Sequence, residues 1–561
     1  MMTLNNRTSR TAIAVLALGL PVAGLAAPTD PSAAAPAAPA REAAAPAYEA
    51  VAAAPAGQLE LGAPDLPEKR TVATLAPGLT RTSITRGTPN PNLTWTAEVA
   101  IPPASSGAPV SALSDEARAR AVAEKLEAAG VRARVEHVQS PQLADAGGAL
   151  GYRVRAGQFP AKADSGATVA QIKAAGFAAS VIYTGWDGDE GTSESTRGPW
   201  KLEVLTIDPK QFRGDLTSSF GPDLQDREKT SQLGAASGAL AAVNGGYFTM
   251  DPNAGAPGDP AGAAVQDGKI LSEPVGERPS LVIGARTGTS VQRLGWEGTV
   301  TAPGRAGQVT LDGVNRVPGL IRNCGGAGDT PTSLPLHDVT CTDADEIVAF
   351  TPEFGPTTPS GPGLEVALNA RGAVTAVNTS RGTEVPAGGM TLQAIGTDVE
   401  NLSVLAATGS RLKVDMDLVD ENGRALKIGA TTDVVNGGPM LVQNGIKNVT
   451  AARDGMVRGG DSNSFYYGWV HKRNPRTIAG VDAQGRTLLV TADGRQTTSL
   501  GLSIKEAADV AQSLGMIDAL NLDGGGSTAM VVDGQVVNSP SDAAGERAVG
   551  DAFTLLPRRK N

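Results

Sequence analysis

One local design recurs three times in this chain and sets the terms for any fold it adopts. An apolar run closes on an amide or an acid, Gly-Gly follows at once, and an Asn-Gly or Asp-Gly pair comes soon after. The copies are Ala241-Ala242-Val243-Asn244-Gly245-Gly246 with Asp267-Gly268, Val434-Val435-Asn436-Gly437-Gly438 with Asn444-Gly445, and Leu520-Asn521-Leu522-Asp523-Gly524-Gly525-Gly526-Ser527-Thr528 with Asp533-Gly534. Asn-Gly and Asp-Gly suit two-residue hairpins, whose central positions both need positive φ. Gly-Gly after a strand lets the backbone turn sharply and lets a ligand approach main-chain N–H groups. Each copy alone reads as a tight turn. Three at equivalent places predict that Asn244, Asn436 and Asp523 converge on one polar cleft.

Composition narrows the chemistry available to such a cleft. With 69 Gly, 38 Pro and only 4% aromatics, the chain favours short strands and many turns over long helices. A balance of 48 Lys+Arg against 58 Asp+Glu argues against a general nucleic-acid binder. Three histidines leave little for a zinc centre or a Ser-His-Asp triad, and two cysteines exclude a cysteine-ligated cluster. The Asp523 loop lacks the Gly-Lys-Ser/Thr of a phosphate-binding P-loop, and no Gly-x-Ser-x-Gly elbow occurs.

The amino terminus reads as an address. Arg7 and Arg10 precede an apolar run with small residues at Gly24, Ala26 and Ala27, so residues 1–26 are expected to be a secretory signal peptide rather than an uncleaved anchor. An Ala/Pro-rich linker follows at 27–57, with 15 Ala and 5 Pro in its last 27 residues, and 58–92 is expected to be a connecting segment. Export makes Cys324 and Cys341 an expected disulfide around a Gly/Pro-rich loop, the alternative being two unrelated buried thiols. The protein is therefore expected to be secreted or associated with the cell envelope, with no membrane span after signal cleavage.

Residues 93–187 read as strand, helix, strand, strand, helix, strand. Ser114 is the expected cap of the first helix and Gly130 its stop, while 131–138 and 152–159 alternate apolar and polar residues. Two βαβ-like halves of this kind predict a ferredoxin-like sandwich. From 199 to 557 the texture changes to many short β-like runs. One helix stands out, with a capping box at Ser503 and Glu506, an apolar stripe at Ile504, Ala507, Ala508 and Ala511, and Gly515 as its stop. A second helix is expected within 225–241. The fold class is α+β, a small module followed by a large domain with a curved, mostly antiparallel sheet.

Two resemblances follow from these residues. Gly151-Tyr152-Arg153-Val154-Arg155-Ala156-Gly157-Gln158-Phe159 resembles the third strand of SPOR domains, envelope modules that bind peptidoglycan glycan strands. The three glycine loops, with Glu277-Arg278-Pro279-Ser280, Asn474-Pro475-Arg476-Thr477 and Thr491-Ala492-Asp493-Gly494-Arg495, resemble the phosphodiester glycosidase family. That resemblance implies cleavage of a sugar from a phosphodiester at the anomeric carbon. Phosphate is already a competent leaving group, so holding its charge and steadying an oxocarbenium-like centre matter more than proton donation.

On that reading the catalytic carboxylates are expected to be Asp523, as nucleophile or base, then Glu277 and Asp493. Substrate binding falls to Arg278, Arg476 and Arg495 for phosphate, to Asn244 and Asn436 for hydroxyls or phosphate, and to Gly524 and Gly525 N–H groups for anions. Ser527 and Thr528 would orient Asp523. As bland alternatives, Glu277 and Arg278 form a salt bridge, Asp493-Gly494 is a hairpin, and Arg476 locks the cleft wall. The Gly/Pro-rich stretch 300–361 departs from a minimal version of the family and is expected to form a lid. No cofactor is required, and Asp343-Ala344-Asp345 is the one loop singled out for calcium. The leading expectation is a secreted sugar-1-phosphodiester hydrolase acting on an envelope glycopolymer, held on peptidoglycan by a separable SPOR-like module. The alternative is a non-catalytic wall-binding protein.

Overall fold

The turn pairs adopt the backbone that their residue types permit. φ is +49° and +77° at Asp267 and Gly268, +52° and +78° at Asn444 and Gly445, and +49° and +74° at Asp533 and Gly534, and each pair closes an antiparallel hairpin. The structure is a computed structural model that describes residues 57–103, 110–189, 195–251, 254–284, 288–304, 307–321, 328–332, 341–457 and 463–558. The expected signal peptide, and all of the expected linker except Gly57, lie outside the described residues.

The expected single curved sheet is instead a set of packed sheets. The largest has eight strands in the order Glu68–Ala76, Leu79–Arg86, Trp200–Ile207, Thr487–Ala492, Arg476–Asp482, Met516–Asn521, Met440–Gln443 and Ile446–Lys447. Alternation along its strands sends apolar residues to both faces. Leu205, Ala479, Leu489 and Leu520 pack with Val243, Phe553 and Leu555 of a five-stranded sheet and with Leu281, Ile283 and Val435 of a seven-stranded sheet. On the other face, Leu202, Val204, Ile478, Leu488 and Val490 meet the helix Ile504–Ser513, whose Ser503–Glu506 capping box forms as expected. The second expected helix spans Thr230–Ser237.

Residues 58–92 are more than a connection. They supply the hairpin Glu68–Ala76 and Leu79–Arg86 at one edge of the eight-stranded sheet, and Arg86 pairs directly with Trp200. Everything between those two residues is therefore an insertion between neighbouring strands. Its sheet runs Ala133–Ser140, Gly148–Phe159, Trp95–Val99 and Ala179–Tyr183, all antiparallel, with the helices Glu116–Ala128 and Gly166–Ala174 as connections. The first helix is capped by Asp115, which accepts from the Arg118 N–H at 2.9 Å, and not by Ser114. The inserted module shares a core with the large sheet, because Leu113, Val138, Leu150 and Tyr183 pack with Leu441, Tyr466, Tyr467 and Val470. The sequence gives no sign of this shared core.

Residues 300–412 contribute a further lobe with its own core of Val300, Ile347, Val366, Leu392 and Leu402. Cys341 is fully buried there and is not a free thiol, while Cys324 lies outside the described residues. Asp343 and Asp345 turn carboxylate oxygens to the N–H groups of Asp345 and Thr397, and among the described residues no group of three or more His, Cys, Asp or Glu side chains is placed to hold a metal ion. Among the described residues no helix is long and apolar enough to cross a membrane.

Candidate active site

The three glycine loops meet. Asn244 donates from Nδ2 to the Asp523 carbonyl at 2.8 Å and accepts at Oδ1 from the Thr477 hydroxyl at 2.7 Å and the Ala529 N–H at 3.1 Å. Asn436 clasps the first loop, accepting from the Tyr247 N–H at 2.9 Å and donating to the Tyr247 carbonyl at 3.2 Å. The Tyr247 hydroxyl donates to the Gly438 carbonyl at 2.6 Å and accepts from Asn521 Nδ2 at 2.9 Å. The glycines permit this crowding. A Cβ at Gly246 would stand 2.6 Å from Asn436 Nδ2, and one at Gly437 would stand 2.7 Å from the Asn521 carbonyl.

Beside the junction lies a cavity of about 370 Å³, whose lining includes Asp523, Gly524–Gly526, Tyr247, Phe465 and Trp469. Three guanidinium groups line it, from Arg278, Arg495 and Arg547. Arg278 is cradled by the Asp454 carbonyl and lies 5.4 Å from the Tyr247 ring centroid. Arg495 donates to Asn474 Oδ1 at 3.0 Å, and Arg547 pairs with Asp542 at 2.8 Å. Burial pulls Arg278 and Arg495 below the ordinary guanidinium value, and for Arg495 the neighbouring Arg547 charge adds to the effect. They remain cations at any working pH, grouped where an anion is the natural counter-charge.

Asp523 is almost wholly buried. Burial pushes its carboxyl up to about 6, against the pull of the Ser527 hydroxyl, Arg547, the Gly524 N–H and Arg495. Behind the first loop a second acid, Asp551, accepts from the Gly246 N–H at 2.7 Å. Burial raises it to about 7, and the charge of Asp523 adds to the rise. The two carboxyls therefore oppose one another's ionisation.

Other expected site residues have different surroundings. Glu277 is exposed and ion-paired with Arg453, not with Arg278, and does not line the cavity. Asp493 braces the chain at 538–539, accepting from the Ser539 N–H at 2.8 Å and Asn538 Nδ2 at 3.3 Å; burial raises its carboxyl too. Arg476 stands outside the cavity lining, 5.2 Å from the Trp469 ring centroid, with its Nε donating to the Leu502 carbonyl. Its Nη1 has no hydrogen-bond partner, and burial lowers it to about 9. Asn244 and Asn436 spend their amides on loop contacts and do not line the cavity. Gly524 and Gly525 do line it, but their N–H groups donate to Asp523 Oδ1 and the Pro475 carbonyl. Ser527 and Thr528 are buried beneath the third loop, the Thr528 and Thr477 hydroxyls 3.4 Å apart.

None of the described residues between 300 and 361 lines the cavity, so the expected lid is not what walls it. That wall comes from Ser464–Tyr466 and the wide π turn Tyr467–His471, a helix irregularity frequent at functional sites. Sequence reasoning missed Arg547 and Asp551, which flank the two-residue strand Ala548–Val549 without a recognisable motif, and left Tyr247 and Trp469 unassigned.

Residues 362–556 match the model of the phosphodiester glycosidase family, and residues 110–183 match that of the SPOR domain. A crystal structure from Burkholderia pseudomallei, of a protein described as exported, superposes with a TM-score of 0.79 at 34% identity, covering 91% of this chain and all of that one. Mouse N-acetylglucosamine-1-phosphodiester alpha-N-acetylglucosaminidase is 39% identical over 74 residues, 13% of this chain and 14% of that protein. The uncharacterized SPbeta prophage-derived protein YomE of Bacillus subtilis is 32% identical over 120 residues, 18% of each chain. The chain thus spans less than a fifth of either curated relative in these matches. It carries a domain of the phosphodiester glycosidase family, matched over 362–556, and a SPOR domain, matched over 110–183, inserted between two strands of the large sheet.

Proposed function

We propose that this protein is an exported glycosidase that hydrolyses a sugar-1-phosphodiester in an envelope or extracellular glycopolymer. One observation carries the reading: the buried Asp523 carboxyl shares a cavity with three arginines and an aromatic wall. Arg278, Arg495 and Arg547 take the phosphate, whose oxygens suit the guanidinium fork. Tyr247 and Trp469, with ring centroids 6.0 Å apart and set edge to face, offer apolar surface to the sugar. Ionised Asp523 then faces the positive charge that develops at the anomeric carbon as the phosphate leaves, as nucleophile or as base for water. Asp551 acts through Asp523 and the Gly246 N–H and has no place in the cavity lining.

The strand order of the inserted module, with two helices in split βαβ connections, supports a ferredoxin-like SPOR sandwich and, through it, residence in the cell envelope and affinity for glycan strands. A SPOR module at 93–187, a glycosidase domain at 199–557 completed by the hairpin Glu68–Ala76 and Leu79–Arg86, a signal peptide at 1–26 and a Cys324–Cys341 disulfide belong to the same reading. The test is release of free sugar from a synthetic sugar-1-phosphodiester by purified protein. Full activity in an Asp523→Ala variant would remove the catalytic assignment, and absence of turnover with retained sedimentation on peptidoglycan would favour a non-catalytic wall-binding protein.

A further inference from the structure

The helical segment 464–471 has two occupied sides. Ser464, Phe465, Gly468 and Trp469 line the cavity, while Tyr466, Tyr467, Val470 and His471 are buried on the side that meets the SPOR domain. The Tyr467 hydroxyl accepts from Arg153 Nη1 at 3.0 Å and from Arg155 Nη2 at 3.3 Å, and donates to Glu98 Oε2 at 2.9 Å. Lys472 caps the same group, donating to Glu98 Oε1 at 2.7 Å, with its ammonium 4.6 Å from the Tyr467 ring centroid. His471 Nε2 meets Asp189 Oδ1 at 2.8 Å, and Asp189 accepts in turn from Arg153 at 2.6 Å. Outside this network, the Ser140 and Tyr466 hydroxyls are 3.1 Å apart, and Asn463 donates to the Leu150 carbonyl at 3.1 Å.

Arg153 and Arg155 belong to the stretch by which the sequence resembles SPOR domains, yet they are only 4% and 1% exposed. The opposite face of their sheet is covered by its own helices, through Val154 and Ala156 packed on Ala119, Val122, Leu126 and Ile172. Buried charges of this kind contribute little net stability against apolar residues, but losing one partner strands the others, so they fix one arrangement in preference to alternatives. What they fix here is the back of the cavity wall.

We propose that the SPOR domain braces the catalytic cavity: Glu98, Arg153 and Arg155 are positioning residues that hold Tyr467, and through it Phe465 and Trp469, in the arrangement that receives substrate. The proposal rests on the glycosidase reading of the cavity for its consequence, though not for the brace itself. It follows that removing residues 93–187 abolishes productive hydrolysis, where a tethered binding module would leave it intact.

The test uses the full chain with Tyr467→Phe, which keeps the ring and removes the shared hydroxyl, and with Glu98→Gln, which alters the brace from the SPOR side. Amide hydrogen exchange across 463–472 is read beside KM and kcat on a sugar-1-phosphodiester. Expected are faster exchange in that segment and a several-fold rise in KM with kcat within about twofold, in both folded variants. Unchanged exchange in both variants, or faster exchange with an unchanged KM, overturns the proposal. If the wild type turns over no sugar phosphodiester, faster exchange still upholds the brace, and the failure falls on the glycosidase reading alone.

Discussion

Asn244 and Asp523, 279 positions apart, are joined by a 2.8 Å hydrogen bond from the amide of one to the main-chain carbonyl of the other. The bond locks the loop that carries the catalytic candidate onto the end of the strand Ala241–Asn244. Asn244→Ala leaves the Asp523 carbonyl, the Thr477 hydroxyl and the Ala529 N–H without this partner. We expect a loss of about 2–4 kcal/mol in denaturant unfolding and a fall in kcat larger than the change in KM.

Asp523→Asn is expected to abolish turnover and at the same time stabilise the fold at neutral pH. The carboxyl is raised from its ordinary 3.8 to about 6, so the native state binds the proton more tightly than the unfolded chain. Its favourable contribution is complete below pH 3.8 and is lost as pH rises through about 6. A neutral amide escapes that loss, worth up to about 3 kcal/mol. Thermal unfolding at pH 5 and pH 8 checks this, since the advantage of the variant should be larger at pH 8.

The same ionisation sets an acid limb on kcat/KM. Activity that needs the Asp523 carboxylate should rise through about pH 6 and level off above it. Arg547 pulls that carboxyl down, so Arg547→Ala should move the limb to higher pH. The loss of a charged phosphate contact should also raise KM by about tenfold or more. An unmoved limb in the variant would mean that Arg547 does not face Asp523 in the working enzyme.

Glu277→Ala should be nearly silent. Its ion pair with Arg453 leaves both side chains well exposed, at 63% and 42%, so the change in stability should stay below about 0.5 kcal/mol. Michaelis constants within twofold of wild type would separate this glutamate from the cavity, whereas loss of kcat would return it to the catalytic list.

Local chemistry was legible wherever a residue type answers to backbone geometry. The Asn-Gly and Asp-Gly hairpins and the Ser503–Glu506 box appear where the letters place them, whereas 152–159 forms its strand but buries both faces, Arg153 and Arg155 included. The cap at Asp115 was missed by one residue because Ser114 and Asp115 are both good caps, and only the chain path chooses between them. The meeting of three glycine loops was also readable, since each strand ends in the same sequence of polar head and sharp turn.

Roles within the meeting point were not readable. Asn244 and Asn436 look like ligand-binding amides, yet both are consumed by neighbours distant in sequence. Asp551 follows no motif and becomes notable only because burial and the Asp523 charge act on it together. The letters alone carried the hairpin turns, the capped helix and the family resemblance, because those depend on φ, on period and on residues a few positions apart, but not the two strands within 58–92. Tertiary structure alone decided which carboxylates and arginines share a cavity, and that a module resembling a detachable glycan binder packs behind the segment that walls it. Those outcomes depend on which side chains are desolvated together, and desolvation is a property of the packed molecule rather than of any stretch of its chain.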